Sequence, residues 1–239
     1  MLARGLGFAL ICCLFLGWTP PASAQAASGL DEVLKRSLAA YGGESRLAAL
    51  KSLSLKGRIS AKGQAQPGSV ERLFQAPDRL SSLIVHANGS RERRILVRDK
   101  AWRNGQAASV PEHLAMSLQL ARMRLPLLLK ENRATLSDLG EREQNGRRFR
   151  TVALAVTEGV SLSVLIDSAS GFILQTVGKL SLADGTNADF TTLYADYKMI
   201  GGLAVAMRED HYSQGAQTGS TVFEQAETDR APPGNAFTP

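Results

Sequence analysis

The stretch that decides the fold is PEHLAMSLQLARMRLPLLLKE, residues 111–131, a helical pattern inside an otherwise β-rich chain. Placed on a helix at about 100° per residue, its apolar side chains form two stripes on opposite sides. One stripe consists of Leu114, Leu118, Ala121, Leu125 and Leu128. The other consists of Met116, Leu120, Met123 and Leu127. An ordinary surface helix has a single apolar stripe, so the second one needs a separate explanation.

Two explanations account for the second stripe. Pro126 disfavours helical geometry at Leu125 and removes a backbone donor, so a break there would let two differently oriented segments each bury one stripe. In the other explanation, one stripe packs on a sheet while the second lines an apolar cavity or acts as a movable lid. Methionine adapts to irregular apolar partners, which suits Met116 and Met123 to a cavity wall.

On both sides of this stretch the hydrophobic period is two, as in a half-buried strand. Leu53, Leu55 and Ile59 alternate with polar residues. Further runs of this kind are separated by turn dipeptides, among them Asn88-Gly89, Asn145-Gly146, Ser170-Gly171 and Asp184-Gly185. About eleven strands joined by short turns indicate an antiparallel meander. Two helices are predicted before the first strand, one starting at Leu30 and one over residues 44–50.

The first 24 residues have the order of a cleaved export signal. Arg4 supplies the positive start, an apolar run covers Leu6–Trp18, and the small-x-small triplet Ala22-Ser23-Ala24 follows. The apolar run of about 13 residues is shorter than a membrane span. We expect cleavage near Ala24, export to the periplasm, and a single folded domain over residues 25–239.

Both cysteines, Cys12 and Cys13, lie inside this predicted signal. A lipid attachment site needs a small residue before the cysteine, whereas Ile11 precedes Cys12. The exported product is therefore predicted to be non-lipidated. Without cysteine, the mature chain is excluded as a disulfide scaffold, a cysteine-ligated metal protein and a thiol enzyme.

The chain is basic, with 28 Lys and Arg residues against 22 Asp and Glu residues. The densest basic segment runs from Arg91 to Lys100, and Arg147–Arg150 is a second one. Both lie in predicted strands, where alternate residues face water, and this favours a solvated sheet face. Attraction to anionic head groups or to an acidic partner is the alternative. Export and the scattered charge argue against a nucleic-acid partner.

Motifs that carry chemistry are missing from the sequence. His86, His113 and His211 do not have the spacing of a zinc site, and no GxSxG, P-loop or GxGxxG motif occurs. Glu141 and Glu143 share one face of a predicted strand, where solvated charge is the ordinary explanation. We expect no catalysis, no metal and no cofactor, with an exported hydrolase using His113 or Glu141 as the enzymatic alternative.

Four short segments follow one another between residues 38 and 237. They are Tyr41-Gly42-Gly43 with Leu47, Leu50-Lys51-Ser52-Leu53 and Lys56-Gly57, then Phe74-Gln75-Ala76-Pro77-Asp78-Arg79-Leu80, then Ile166-Asp167 with Ser170-Gly171-Phe172-Ile173-Leu174, and Asp196-Tyr197-Lys198 with Gly201-Gly202-Leu203. In this order they resemble the outer-membrane lipoprotein-sorting (LolA/LolB-like) superfamily of periplasmic lipid- and lipoprotein-binding proteins. The resemblance implies a mainly β fold with helices, an open and curved antiparallel half-barrel whose helices cover its concave face.

The resemblance also implies a function, that of a carrier without catalysis that holds lipid or lipoprotein acyl chains in an apolar cavity and contacts membranes transiently. We expect the inward-facing strand residues and the second helical stripe to line this cavity: Leu53, Leu55, Ile59, Met116, Leu120, Met123 and Leu127. The alternative is a sensor or accessory module of the same fold. Such a module would bind another envelope protein through the basic strand near Arg93 and Arg94.

Overall fold

One antiparallel sheet of thirteen strands dominates the structure. The structure is a computed structural model that describes residues 22–239, with side chains from residue 29 onward. The strands are β1 (Ser52–Ala61), β2 (Gly68–Gln75), β3 (Arg79–Val85), β4 (Arg91–Val97), β5 (Lys100–Arg103), β6 (Gln106–Ala107), β7 (Ser137–Gln144), β8 (Arg147–Thr157), β9 (Val160–Asp167), β10 (Ile173–Ser181), β11 (Asn187–Ile200), β12 (Leu203–Ser213) and β13 (Ala216–Thr228). The helices are α1 (Ala22–Ala40), α2 (Glu44–Ala48), α3 (Val110–Met123) and α4 (Leu127–Glu131).

The first helix and the strand count differ from the sequence prediction. Helix α1 begins at Ala22, so residues 25–29 are helical, because small residues such as alanine continue a helix readily. The sheet has thirteen strands where about eleven were expected. The shortest strand, β6, has two residues, too few to show an alternating pattern. The predicted signal, residues 1–24, lies outside the described residues except for its last three.

The sheet is open and consists of two antiparallel meanders that pair with each other through their strands β1 and β13. Its strand order is β6-β5-β4-β3-β2-β1-β13-β12-β11-β10-β9-β8-β7. Pairing of β1 with β13 joins two arms, one built from strands before α3 and one from strands after it. Strands β6 and β7 end the sheet at opposite edges. The chain that links them, which contains α3 and α4, therefore has to cross the face of the sheet.

This crossing helix shows that the sheet is strongly curved. Helix α3 has 14 residues, a length of about 21 Å. It contacts both β4 and β8, which are nine strand positions apart in the sheet. In a flat sheet that separation is about 43 Å at 4.8 Å per strand, far beyond the reach of one short helix. The two arms must therefore bend around α3, which confirms the predicted half-barrel.

Each stripe of α3 packs on a different arm. The first stripe, with Leu118 and Ala121, is buried against β8 and β9, including Val152 and Leu162. On the second stripe, Met116 is 3% exposed and packs on Leu80 and Leu96 of the other arm. Helix α3 thus carries part of both stripes and packs each on a different arm, instead of two segments burying one stripe each. The predicted break at Pro126 is confirmed, since α3 ends at Met123 and α4 begins at Leu127.

The contact of α3 with β10 depends on Gly178. An added Cβ at Gly178 would lie 2.2 Å from Leu118 Cδ2, and Leu118 is itself buried. We expect Gly178→Ala to lower the free energy of unfolding by about 1–3 kcal/mol through overpacking, as measured by urea denaturation. Gly234→Ala, where an added Cβ meets nothing within 4 Å, is the matched control and should change stability by less than about 0.5 kcal/mol.

Combining Gly178→Ala with Leu118→Ala identifies the source of the loss. Removing the isobutyl group makes room for the new methyl group, so the double variant should lose less stability than the sum of the two single losses. Strictly additive losses would contradict a direct contact between these residues.

Candidate functional site

An apolar inner chamber lies between the helices and the middle of the sheet. Its volume is about 90 Å³. The side chains around it come mainly from α2 and its C-terminal side, the end of α3, β1 and β12: Leu47, Leu50, Leu53, Leu55, Met123, Leu125, Leu203 and Val205. These elements meet here because α3 ends before Pro126 and leaves part of the concave face uncovered.

A larger outer chamber of about 450 Å³ adjoins it. This chamber lies between α2, α4 and the turn that contains Ala76 and Pro77. Four side chains line both chambers: Leu47, Leu50, Met123 and Leu125. The wall between the chambers is therefore apolar, and it includes a methionine, the apolar side chain that changes shape most easily.

The rim of the outer chamber carries an ion pair. Lys130 of α4 donates to Glu44 of α2, and both side chains are about half exposed. On α4, Glu131 accepts a hydrogen bond of 2.5 Å from Arg124. An exposed pair of this kind contributes about 0–1 kcal/mol, so it holds α2 and α4 together only weakly.

The structure distributes the predicted cavity residues over several environments. Leu53, Leu55 and Met123 line the inner chamber, and Met123 and Leu127 line the outer one. The remaining three lie outside both chambers. Met116 is buried among Leu80 and Leu96, and Leu120 and Ile59 are half-buried in the packing between helix and sheet.

A buried ion pair lies at the inner end of the chamber. Both nitrogens Nη1 and Nη2 of Arg72 on β2 donate to Glu209 on β12, at 2.8 and 3.1 Å. Each side chain is 8% exposed, and the Arg72 guanidinium lies 5.1 Å from the centre of the Phe223 ring. Strands β1 and β13 lie between β2 and β12, so in a flat sheet the two strands would be about 14 Å apart. The pair therefore closes the concave side across the seam between the arms.

Arg122 of α3 adds a second cation beside this pair and lines the inner chamber together with Glu209. Its Nε donates to Thr176 Oγ1 at 3.1 Å, and its Nη2 donates to the Phe190 carbonyl at 2.8 Å. Thr176 Oγ1 also lies 3.1 Å from the Tyr194 hydroxyl. The polar groups of this site thus come from both arms and from the crossing helix.

Burial and charge set the ionisation of these groups. Burial raises the pKa of Glu209, but the charge and hydrogen bonds of Arg72 outweigh it and hold that pKa below its ordinary value. Burial lowers the pKa of Arg122 and that of His211, while it raises the pKa of Tyr194. At neutral pH, Glu209 is therefore ionised, and His211 and Tyr194 are neutral.

The apolar patterns of the sequence do not reveal this polar group, although the sequence contains one signal for it. Arg72 lies between Val70 and Phe74 in the inward-facing register of β2, and Glu209 follows Met207 in the same register of β12. A charged residue in an apolar register marks a buried polar partner. Arg122 left no such signal, because it belongs to a polar flank of the helical pattern.

Glu141, one of the two residues considered for catalysis, has ordinary partners. Glu141 pairs with Arg148 at 3.5 Å and accepts a hydrogen bond from Ser168. Within the described residues, no group of three or more His, Cys, Asp and Glu side chains could hold a metal ion. None of the described helices has the length and hydropathy needed to cross a membrane.

Comparisons with known proteins identify the fold. A scan against protein-family models finds no match, and no curated protein matches the sequence. A LolA superfamily protein from Nitrosomonas europaea superimposes with a TM-score of 0.52 and 11% identity, over 90% of this chain and 97% of its own. The protein has a LolA-like fold. A DUF1329 family protein from Desulfovibrio piger gives a TM-score of 0.50 and 11% identity, over 92% of this chain and 98% of its own.

The resemblance inferred from the four sequence segments is thus confirmed for the LolA-like fold. Contacts of Tyr41, which belongs to the first segment, show that these segments lie next to one another in the fold. The Tyr41 hydroxyl lies 2.7 Å from that of Tyr197, which donates to the Ile173 carbonyl at 2.6 Å. Ile173 belongs to the third segment and Tyr197 to the fourth. Three of the four segments therefore meet where the end of α1 packs on the sheet.

The Arg72–Glu209 pair generates a prediction about acid stability. Since the pKa of Glu209 is lowered from its ordinary value of 4.5, its stabilising effect is complete above pH 4.5 and is lost as the pH falls through the lowered value. Glu209→Gln leaves Arg72 buried without its carboxylate, and we expect a loss of about 3–5 kcal/mol at pH 7. Its unfolding free energy should also depend less on pH below about 4.5 than that of the wild type.

Urea denaturation between pH 7 and pH 3 measures both effects. Glu224→Gln is the matched control, since Glu224 is half exposed and pairs with the exposed Arg58, and it should cost less than about 1 kcal/mol. Equal losses for the two variants at pH 7 would contradict a special role for the buried pair.

Proposed function

We propose that the protein is an exported, periplasmic carrier that binds an acyl chain in the two chambers beneath α3 and α4. The observation that carries this proposal is the set of apolar side chains that the two chambers share, Leu47, Leu50, Met123 and Leu125, at the concave face of an open half-barrel. An outer chamber of 450 Å³ lies within the volume range of small-molecule sites, about 300–1,000 Å³. The proposal also agrees with the export signal expected in residues 1–24.

The energetics suit reversible binding. Each buried methylene group contributes about 0.8 kcal/mol, so eight methylenes would contribute about 6 kcal/mol before the entropic cost of binding. No covalent step is needed to hold or release such a ligand. The rim pair Lys130–Glu44 is exposed and opposes opening only weakly, which favours entry between α2 and α4.

The partner-binding alternative is less favoured by the contacts of the basic strand β4. Nη2 of Arg93 donates to the carbonyls of Asn235 and Ala236 at 2.8 and 3.3 Å, so the C-terminal tail already occupies it. Nε of Arg94 donates to Glu92 at 2.5 Å. The groove of about 700 Å³ between this tail and the outer face of the sheet is lined by many charged side chains, which does not suit an acyl chain.

Binding of a neutral apolar probe tests the carrier proposal. Delipidated protein should enhance the fluorescence of N-phenyl-1-naphthylamine, and hexadecanol should displace it. Native mass spectrometry of protein purified from an export-competent host should also detect co-purified lipid. The absence of both probe binding and co-purified lipid would overturn the proposal.

A larger side chain at position 123, between the two chambers, tests whether the probe binds there. We expect Met123→Trp to weaken probe binding at least about tenfold by occupying chamber volume, with the far-ultraviolet circular dichroism spectrum unchanged. Met199→Trp is the matched control because Met199 is 60% exposed and lies away from both chambers. Undiminished binding by folded Met123→Trp would place the apolar site elsewhere.

A further inference from the structure

The inner chamber ends at Arg122, a cation that forms no ion pair with the side chains described from residue 29 onward, although the charge of Glu209 acts on it from a distance. Arg122 lines this chamber, and its two hydrogen bonds go to the neutral acceptors Thr176 Oγ1 and the Phe190 carbonyl. A guanidinium has five N–H donors, so three are left for a ligand. Among residues 29–239, no carboxylate oxygen lies within 4.0 Å of the Arg122 guanidinium nitrogens.

The charges around the chamber do not balance. The titratable and charged groups that meet here are Arg72 on β2, Arg122 on α3, Tyr41 after α1, Tyr194 and Tyr197 on β11, and Glu209 and His211 on β12. Arg72 occupies both carboxylate oxygens of Glu209. Since burial keeps His211 and the three tyrosines neutral at pH 7, the group carries one excess positive charge. Charge complementarity therefore calls for a ligand with one negative charge at this end.

The size of the inner chamber restricts that anion. At about 90 Å³ the chamber has room for a small group and not for a glycerophosphate head. Arginine binds a carboxylate through two parallel hydrogen bonds, and such charge-assisted bonds are stronger than neutral ones. A phosphate monoester would present similar oxygens with a larger volume and more charge.

We propose that the ligand is a free long-chain carboxylic acid bound with its head inward, its carboxylate on Arg122 and its hydrocarbon chain passing the Met123 wall into the outer chamber. This inference rests on the proposed carrier function and narrows its substrate class. An acyl chain carried as an ester or an amide has no carboxylate and would leave Arg122 without an anion. The chain of a lipoprotein or phospholipid is therefore a poorer ligand than the free acid.

Displacement of the neutral probe from delipidated protein at pH 7 tests the head-inward site. Three competitors with the same chain are compared: hexadecanoic acid, hexadecanol and hexadecyl phosphate. We expect the acid to bind at least about tenfold more tightly than the alcohol, and the phosphate to bind less tightly than the acid. Equal binding of acid and alcohol would overturn the carboxylate inference while leaving the carrier function standing. Binding of none of the three would overturn the carrier function itself.

Substitution of Arg122 assigns the preference to this side chain. In Arg122→Gln the tenfold preference for the acid should disappear, while the affinity for hexadecanol stays within about threefold. The matched control is Arg58→Gln on the exposed outside of the sheet, which should keep the full preference. A preference for the acid that persists in folded Arg122→Gln would overturn the assignment to Arg122.

A spectroscopic measurement on the wild-type protein keeps the inference testable if Arg122→Gln fails to fold. Hexadecanoic acid labelled with ¹³C at its carboxyl carbon reports its own ionisation by NMR. Beside the Arg122 guanidinium the bound carboxyl should stay ionised at pH values below the ordinary carboxyl range of about 4. A bound carboxyl that titrates at or above that range would place the head group away from Arg122.

Discussion

The shape of this protein depends on one packing constraint, a short helix that is buried on both arms of the same sheet. Strands β6 and β7 are opposite edges, so the chain between them has to cross the sheet face, and α3 provides the crossing. Leu118 holds the helix against Gly178 on one arm, while Met116 holds it against Leu80 and Leu96 on the other. A flatter sheet would break one of these contacts. The curvature of the sheet and the packing of α3 therefore depend on each other.

The Arg72–Glu209 pair is a second connection between the arms, and stability alone does not account for it. Replacing a buried ion pair by apolar side chains of similar volume is often neutral or stabilising, although removing one partner is costly. The pair lies at the end of an apolar chamber and next to Arg122, with Glu209 itself in the chamber wall. Packing alone does not explain why polar residues occur at this position. Their place beside Arg122, at a site with an unbalanced charge, does offer an explanation.

The sequence predicted the architecture well, because the relevant signals are local. Strand alternation, turn dipeptides, the two stripes and the break at Pro126 each depend on neighbouring residues. The environment of individual residues depends on distant ones. Met116 and Met123 share a stripe, yet Met116 is buried against Leu80 and Leu96 while Met123 lines the chambers. The curvature of the sheet decides which end of the stripe packs on an arm and which end lines a chamber. No local sequence pattern encodes this curvature.

The polar site could be only half anticipated for the same reason. A charged residue in the apolar register of β2 marks Arg72 as buried, but its partner Glu209 is 137 positions away in sequence. The pairing follows from β1 joining β13, which brings β2 and β12 together. Arg122 was hidden more completely, since a polar flank of a helix normally faces water, and here it faces the concave side of a sheet.

The position of Arg122 also explains how the protein can hold an excess charge when the chamber contains no anion. Arg122 lies in the last turn of α3, where the helix dipole places about half a negative charge and favours a cation. Together with the Phe190 carbonyl and Thr176, this stabilises the guanidinium in part but does not neutralise it. The same dipole weakens the attraction of Arg122 for an anion in the chamber. In the proposed carrier, this weaker attraction would allow a bound acid to be released.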